Sequence, residues 1–198
     1  MPIFGFSTET LGLDVYSEVT QLELLLDAIE IGYRYFDAAE SHLVQNMLGE
    51  AIRRSGIPRE EFFVASKVRT DGIREVRQQQ TIDETLHQLK FDYLDLYTIH
   101  WPLPTYQKWP QSEAYRISYC GQKLNKDENG DELGLIDFYN RKLVRAIGVS
   151  NFEIHHLKKL MEDPKCTVKP MVVQDQFHVL HSCPEMRAFC KENDMVFG

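Results

Sequence analysis

The feature that most constrains the fold of this chain is a repeated order of short apolar segments, each followed by a polar residue and then by helical periodicity. These apolar segments with their polar ends lie at residues 33–37, 62–67, 93–100, 143–151 and 171–174. Within them apolar residues do not alternate with polar ones, which is typical of strands that are buried on both faces. Strands that alternate with helices in this way predict a parallel sheet with helices packed outside it. A short strand at 3–7 and apolar residues at 195–198 would begin and end the series.

Helical signals fill the intervals between the apolar segments. Ser17 is a candidate N-cap for a helix over 18–31, which Gly32 would end. The other predicted helices run to about Arg54, over about 74–89, 136–142 and 153–162, and from Pro184 onward. Residues 101–135, with several Pro and Gly residues, are predicted to be a long loop or insertion within a single domain that spans 1–198.

Composition excludes several classes of protein. The chain has 198 residues, 43% of them hydrophobic, which is enough for one domain with a sizeable core. Its formal net charge of -8 argues against binding to nucleic acid or to an anionic membrane. No apolar segment approaches the ~20 residues of a membrane span, and the first residues lack the features of a secretory signal, so we expect a cytoplasmic protein. The four cysteines form no CxxC pair, so we expect free thiols and no zinc site.

Polar side chains stand at the end of each central predicted strand. These residues are Asp37, Lys67, His100, Ser150, Asn151 and Gln174. In a parallel barrel the C-terminal ends of the strands open on one face, which is where such enzymes keep their active sites. Taken alone, Asp37 could be a helix N-terminal charge, Lys67 a surface residue and His100 a core histidine. Their recurrence at equivalent positions favours a shared site, and Asp37, at the end of a buried strand, needs a partner there.

Several motifs in the chain resemble those of the aldo-keto reductases. They are GYRYFDAA with Gln45 and Gly49 after it, FFVASKV, YLDLYTIHWP, RAIGVSNF and the segment from Pro170 to Gln174. The motifs occur in the family's order over nearly the whole chain, and only 103–140 lacks a clear match. The resemblance implies a parallel (β/α)8 barrel of the TIM type that transfers a hydride from NADPH to an aldehyde or ketone, without a metal.

The resemblance also implies roles for the residues at the strand ends. Asp37, Lys67 and His100 match three of the family's four catalytic positions. Lys67, paired with Asp37, would favour loss of a proton from the catalytic acid, and His100 would orient the carbonyl oxygen. Three further residues match positions that hydrogen-bond the nicotinamide carboxamide: Ser150, Asn151 and Gln174. Lys67 is therefore the predicted partner of Asp37.

The chain departs from the family pattern at the fourth catalytic position, where the family has a tyrosine and this chain has His42. A histidine, with a pKa of ~6.5, must be cationic to donate a proton, whereas a tyrosine, with a pKa of ~10, donates from its neutral form. The neighbouring Lys67 would disfavour the cationic form of His42. His42 is thus a weaker candidate for the catalytic acid than a tyrosine would be, or it is an ordinary loop histidine.

A second departure concerns length. A barrel of this type takes ~250 residues, so we expect an incomplete barrel of about six and a half βα units here. The family region that follows supplies an aromatic residue that stacks on the nicotinamide and a basic loop that holds the 2′-phosphate of NADPH. The open edges near 3–7 and 195–198 could pair in a homodimer or bind another protein. The chain could also be a fragment of a longer reductase.

Two functions are therefore consistent with the sequence. One is the NADPH-dependent reduction of a small carbonyl substrate, in which His42 or a water is the acid and the activity could be impaired. The other is a catalytically weak or inactive relative that keeps the fold for binding or regulation. The residues retained at the strand ends favour the first, whereas His42 and the expected incomplete barrel favour the second.

Overall fold

The computed structural model describes residues 1–9, 11, 16–68, 78–102, 114–121 and 133–198. The described residues contain one parallel sheet of seven strands, whose spatial order is their order in the sequence. The strands are β1 (Gly5–Ser7), β2 (Tyr35–Asp37), β3 (Phe63–Val68), β4 (Leu96–Ile99), β5 (Ile147–Ser150), β6 (Val172–Gln174) and β7 (Val196–Phe197). The sheet curls into part of a barrel, which confirms the predicted incomplete barrel of the TIM type.

Helices follow the strands, as the sequence pattern predicts. They are α1 (Glu18–Ile31), α2 (Gln45–Arg54), α3 (Gln78–Leu89), α4 (Ala114–Cys120), α5 (Leu135–Asn140), α6 (Ile154–Met161) and α7 (Pro184–Glu192). The predicted caps of α1 are confirmed: the side chain of Ser17 accepts a hydrogen bond from the backbone N–H of Thr20, and Gly32 ends the helix with a φ of 116°. None of the described helices is long and apolar enough to cross a membrane.

Two apolar cores flank the sheet. The larger lies between the strands and the helices and includes Val64 and Val149. The smaller lies on the opposite face, inside the curl, and contains Ala65, Leu96 and Val172. Successive residues of one strand point to opposite faces, so Val64 and Ala65 serve different cores. Burial on both faces explains why the strand segments are apolar without alternation.

The register of β5 and β6 sets two predicted site residues side by side. Ser150 lies opposite Gln174, and Gly148 lies opposite Val172. A Cβ atom on Gly148 would stand only 2.4 Å from the carbonyl oxygen of Val172. Glycine is therefore required for the two strands to approach this closely.

The prediction of a loop over 101–135 is wrong for Ala114–Cys120, which form α4. Two aromatic residues of this helix, Tyr115 and Tyr119, are buried in the larger core. Because Pro and Gly residues flank this short helix, the sequence pattern predicts a loop instead. Residues 103–113 and 122–132, which make up most of the predicted loop, lie outside the described residues, as do 74–77 at the predicted start of α3.

The strand predicted over 93–99 is shorter in the structure because a buried acid replaces part of its hydrogen bonding. Asp95 is 3% exposed, and its carboxylate accepts the backbone N–H of Val64 at 2.9 Å. The same carboxylate pairs with Arg59 at 2.8 Å and Arg145 at 3.1 Å. The N–H of Val64 therefore bonds a side chain rather than a strand carbonyl, and β4 begins only at Leu96.

Candidate active site

Asp37 and Lys67 form the centre of a cluster at the C-terminal ends of the strands. Asp37 ends β2, and Lys67 lies near the end of β3, its neighbour in the sheet. Lys67 Nζ is 2.7 Å from each carboxylate oxygen of Asp37 and also donates to the Ala38 carbonyl oxygen at 3.1 Å. Lys67 is only 4% exposed, so its charge requires this compensation. The predicted contact between Asp37 and Lys67 is confirmed; their catalytic role stays a prediction.

Gln174 contacts this pair from β6, a strand that neighbours neither β2 nor β3 in the sheet. It ends β6, and its Nε2 donates to Asp37 Oδ2 at 3.0 Å. The bond links β2 and β6, which are not neighbours in the sheet, and therefore spans the inside of the curl. Gln174 Oε1 has no hydrogen-bond partner in the part of the chain that the structure describes.

His100 follows β4 directly and is half-buried. Burial lowers the pKa of His100 to about 4, Lys67 acts in the same direction, and Asp37 offsets part of the effect. The imidazole is therefore neutral at pH 7. The backbone carbonyl of His100 accepts a hydrogen bond from Asn151 Nδ2 at 2.9 Å, which links the ends of β4 and β5.

His42 ends a short 3-10 turn, Glu40–His42, and is 4% exposed. Its Nδ1 lies 3.1 Å from Thr8 Oγ1, and its ring centre is 6.2 Å from that of His100. Burial lowers the pKa of His42 to about 4; Lys67 lowers it further, and Asp37 opposes the shift. At pH 7 only about one molecule in a thousand carries the cationic form. The structure thus agrees with the expectation that Lys67 disfavours cationic His42, and it places this histidine inside the cluster; its role stays a prediction.

Ser150 and Asn151 complete the cluster at the end of β5. Asn151 has a left-handed backbone with a φ of 60°. Its Nδ2 donates to the His100 carbonyl and, at 3.2 Å, to Ser150 Oγ, while its backbone N–H donates to the Gln174 carbonyl at 2.9 Å. These bonds leave Asn151 Oδ1 without a partner among the described residues.

Sequence reasoning missed Thr8 as a member of this site. Thr8 follows β1 and is completely buried. Its backbone N–H and Oγ1 both donate to the Asp37 carbonyl, at 3.0 and 3.3 Å. Its position directly after a strand is the signal that identified the other site residues.

The arrangement suits the binding of an uncharged polar group. The cluster contains one internally paired cation, Lys67, two neutral imidazoles and the side-chain amides of Asn151 and Gln174. Such groups can orient a carbonyl oxygen and hold a carboxamide. In the described ranges, no three His, Cys, Asp or Glu side chains come together in the way that metal ligands do.

Comparisons with known proteins assign the chain to a family. The model of the aldo/keto reductase family matches residues 3–197. Glyoxal reductase of Bacillus subtilis is 34% identical over 192 residues, which are 96% of this chain and 59% of that protein. Aldehyde reductase YPR1 of Saccharomyces cerevisiae is 31% identical over 206 residues, covering 99% of this chain and 63% of that protein.

A solved structure shows the same likeness. The aldo-keto reductase MGS-M4, from a Medee basin deep-sea metagenome library, superposes with a TM-score of 0.79 at 29% identity, over 100% of this chain and 62% of that one. The chain thus spans less than two thirds of the length of each of these relatives. With a family model matching nearly from end to end, the chain belongs to the aldo/keto reductase family.

Proposed function

We propose that the chain carries the catalytic face of a cytoplasmic, NADPH-dependent reductase that converts a small aldehyde or ketone to an alcohol. The observation that supports this most is the buried Asp37–Lys67 pair, held by Gln174 and flanked by His42 and His100. The names of the relatives, a glyoxal reductase and an aldehyde reductase, support a small aldehyde as the substrate class.

The nicotinamide carboxamide fits the groups at the ends of β5 and β6. A carboxamide offers two N–H donors and one carbonyl acceptor. Asn151 Oδ1 and Gln174 Oε1, which have no partner among the described residues, can accept from its N–H groups. The hydroxyl of Ser150, which accepts from Asn151, keeps its own hydrogen for the carbonyl. When bound, NADPH supplies the hydride; Ser150, Asn151 and Gln174 orient its ring.

The protonation step depends on His42 in this proposal. The carbonyl oxygen needs a proton as it gains the hydride, and His100 would hold that oxygen in place. His42 can supply the proton only from its cationic form, which is scarce at pH 7 because its pKa is about 4. We therefore expect slow turnover at neutral pH, rising ~tenfold for each unit by which the pH falls towards 4.

The low pKa values of both histidines also support a second function. If the neutral cluster binds the cofactor but protonates nothing, the chain is a catalytically inactive member of the family with a binding or regulatory role. In that case NADPH would bind, and turnover would be absent at every pH. Binding and turnover thus have to be measured separately.

The experiment is an NADPH titration followed by an aldehyde assay. NADPH binding is followed by nicotinamide fluorescence, with NADH in parallel, and turnover is followed with glyoxal between pH 5 and 8. Absence of NADPH binding at millimolar concentration would overturn the reductase proposal. The variant His42→Tyr should raise the rate at pH 7, and adding Lys67→Met to it should remove the gain. If NADPH binds and neither the original chain nor His42→Tyr turns over glyoxal, the binding role is favoured.

A further inference from the structure

The hydroxyl of Thr8 lies between two groups of the candidate active site. Thr8 is completely buried. Its backbone N–H donates to the Asp37 carbonyl at 3.0 Å, and its own carbonyl accepts the N–H of Leu11 at 3.1 Å, so both backbone groups are fixed. From this position Thr8 Oγ1 is 3.3 Å from the Asp37 carbonyl oxygen and 3.1 Å from His42 Nδ1. One hydroxyl therefore contacts both the backbone at the end of β2 and the imidazole ring.

The hydrogens available for these two contacts determine the tautomer of His42. A threonine hydroxyl has one hydrogen, and a carbonyl oxygen can only accept a hydrogen bond. Because Thr8 donates its hydrogen to the Asp37 carbonyl, its contact with His42 is a hydrogen bond only if Nδ1 carries the ring hydrogen. A neutral imidazole has a single N–H, so its lone pair is then on Nε2. In the opposite tautomer the one hydrogen of Thr8 would satisfy only one of the two contacts.

Nε2 is the nitrogen of His42 that a ligand can reach. It has no hydrogen-bond partner in the part of the chain that the structure describes. His42 as a whole is only 4% exposed, yet Nε2 is not fully buried. The charged or titratable groups that act on the ring are Lys67, Asp37 and His100, and with burial they keep it neutral at pH 7. A lone pair on an accessible nitrogen accepts a hydrogen bond from a hydroxyl group but offers nothing to a carbonyl oxygen.

We propose that Thr8 is a positioning residue that fixes neutral His42 as the Nδ1–H tautomer, and that Nε2 takes the hydroxyl proton of an alcohol substrate. This use of Nε2 rests on the proposed function, with NADP+ as the cofactor. The O–H bond of the alcohol breaks and its proton goes to Nε2, while the hydride of its C–H bond passes to NADP+. The alcohol is oxidised to an aldehyde or ketone, NADP+ is reduced to NADPH, and the imidazolium releases the proton to water.

The contact with Thr8 confines proton exchange to one ring nitrogen. Thr8 Oγ1 accepts from Nδ1–H in both the neutral and the cationic ring, so its hydroxyl does not have to turn when Nε2 gains or loses a proton. The neutral ring that alcohol oxidation requires is the common form at pH 7, whereas the cationic ring that carbonyl reduction requires is scarce. The kcat/KM for alcohol oxidation should therefore change by less than ~twofold between pH 5 and 8.

The first test is an NMR measurement on the whole chain with ¹⁵N-labelled histidine at pH 7. Long-range couplings to the ring carbon-bound hydrogens show which nitrogen carries a hydrogen, and loss of signals in His42→Gln identifies this ring. We expect hydrogen on Nδ1 of His42 and none on Nε2. His156 is the matched control within the same chain, because its Nδ1 accepts the backbone N–H of Glu153 at 3.1 Å and its hydrogen must therefore be on Nε2.

Two variants separate positioning by the hydroxyl from a purely structural role. Thr8→Ser keeps the hydroxyl and should keep the hydrogen of His42 on Nδ1. Thr8→Val removes the acceptor and should shift the ratio of tautomers towards Nε2–H by ~threefold or more. Hydrogen on Nε2 of His42 in the original chain would overturn the proposal without any variant. So would a Thr8→Val spectrum in which the His42 tautomer is unchanged.

The second test measures how the chain uses this nitrogen. NADP+-dependent oxidation of ethane-1,2-diol is followed between pH 5 and 8 by the absorbance of NADPH. An oxidation rate that rises ~tenfold per pH unit would overturn the role of Nε2, because hydroxide rather than a neutral imidazole would then take the proton. A chain that reduces glyoxal but does not oxidise the diol would overturn it as well. Failure to bind either form of the cofactor would instead overturn the reductase proposal, and the NMR result would still decide the role of Thr8.

Discussion

Replacing Lys67 with Met is expected to destabilise the fold strongly. Lys67 Nζ lies 2.7 Å from both carboxylate oxygens of Asp37, and the two side chains are only 5% and 14% exposed. Removing one partner of a buried ion pair costs ~3–5 kcal/mol, because the other charge is left in a medium of low polarity. Asp37 keeps the hydrogen bond from Gln174, so we expect ~3 kcal/mol, the lower end of that range.

A double-mutant cycle measured by urea denaturation isolates this effect. Asp37→Asn alone leaves the Lys67 charge buried, and it should also destabilise the fold. The double variant leaves neither charge, so it should recover at least ~2 kcal/mol relative to the sum of the single variants. Glu50→Gln is the control: it removes ion pairs of Glu50 with Arg53 and Arg54 at the surface of α2, and the free energy of unfolding should hardly change.

The result that contradicts this reasoning is a small effect. If Lys67→Met lowers the free energy of unfolding by less than ~1 kcal/mol, the pair behaves as an exposed ion pair does. The burial of Asp37 and Lys67 would then not make the loss of one partner costly. The dependence of unfolding on urea concentration must stay the same across the variants, since a change would mean that the unfolded ensembles differ.

Four further predictions follow from the same contacts. His42 and His100 have pKa values of about 4 in the fold and ~6.5 in the unfolded chain. Because the unfolded chain binds more protons below pH 6.5, the free energy of unfolding is greatest above that pH. Stability should fall between pH 6.5 and 4, and urea unfolding at pH 7 and 5 with NMR titration of both rings would check this. Gly148→Ala should lower stability by ~3 kcal/mol or prevent folding, because its Cβ would clash with the neighbouring strand, as thermal melting would show. Thr8→Val leaves His42 Nδ1 unpaired and should cost ~1 kcal/mol in the urea assay. If chains pair through the edge strand β1, sedimentation should show a dimer that Phe4→Lys disrupts, since Phe4 precedes β1 and is 80% exposed; a monomer at all concentrations would contradict pairing.

The strand ends show how far sequence alone can reach. An apolar segment that ends on an acid implies a partner for that acid, and parallel strands bring their ends to one face. These two statements were sufficient to group Asp37, Lys67 and His100. The structure adds that Asp37 and Lys67 lie on neighbouring strands and touch.

Contacts across the sheet could not be predicted in the same way. The bond from Gln174 to Asp37 joins residues 137 positions apart and non-adjacent strands. It depends on how strongly the sheet curls, which no local pattern records. The short helix α4 also could not be predicted, because the Pro and Gly residues around it favour a loop.

The protonation state required of the residue at position 42 links the electrostatics of the site to its chemistry. Lys67 is compensated by Asp37, yet it still lowers the pKa of His42. A tyrosine that gives up its proton becomes an anion, which a neighbouring ammonium stabilises. A histidine has to be a cation before it can donate, and the same ammonium opposes that state. Burial and the Lys67 ammonium together therefore hold His42 neutral by lowering its pKa, although the same ammonium would favour a tyrosine acid at this position.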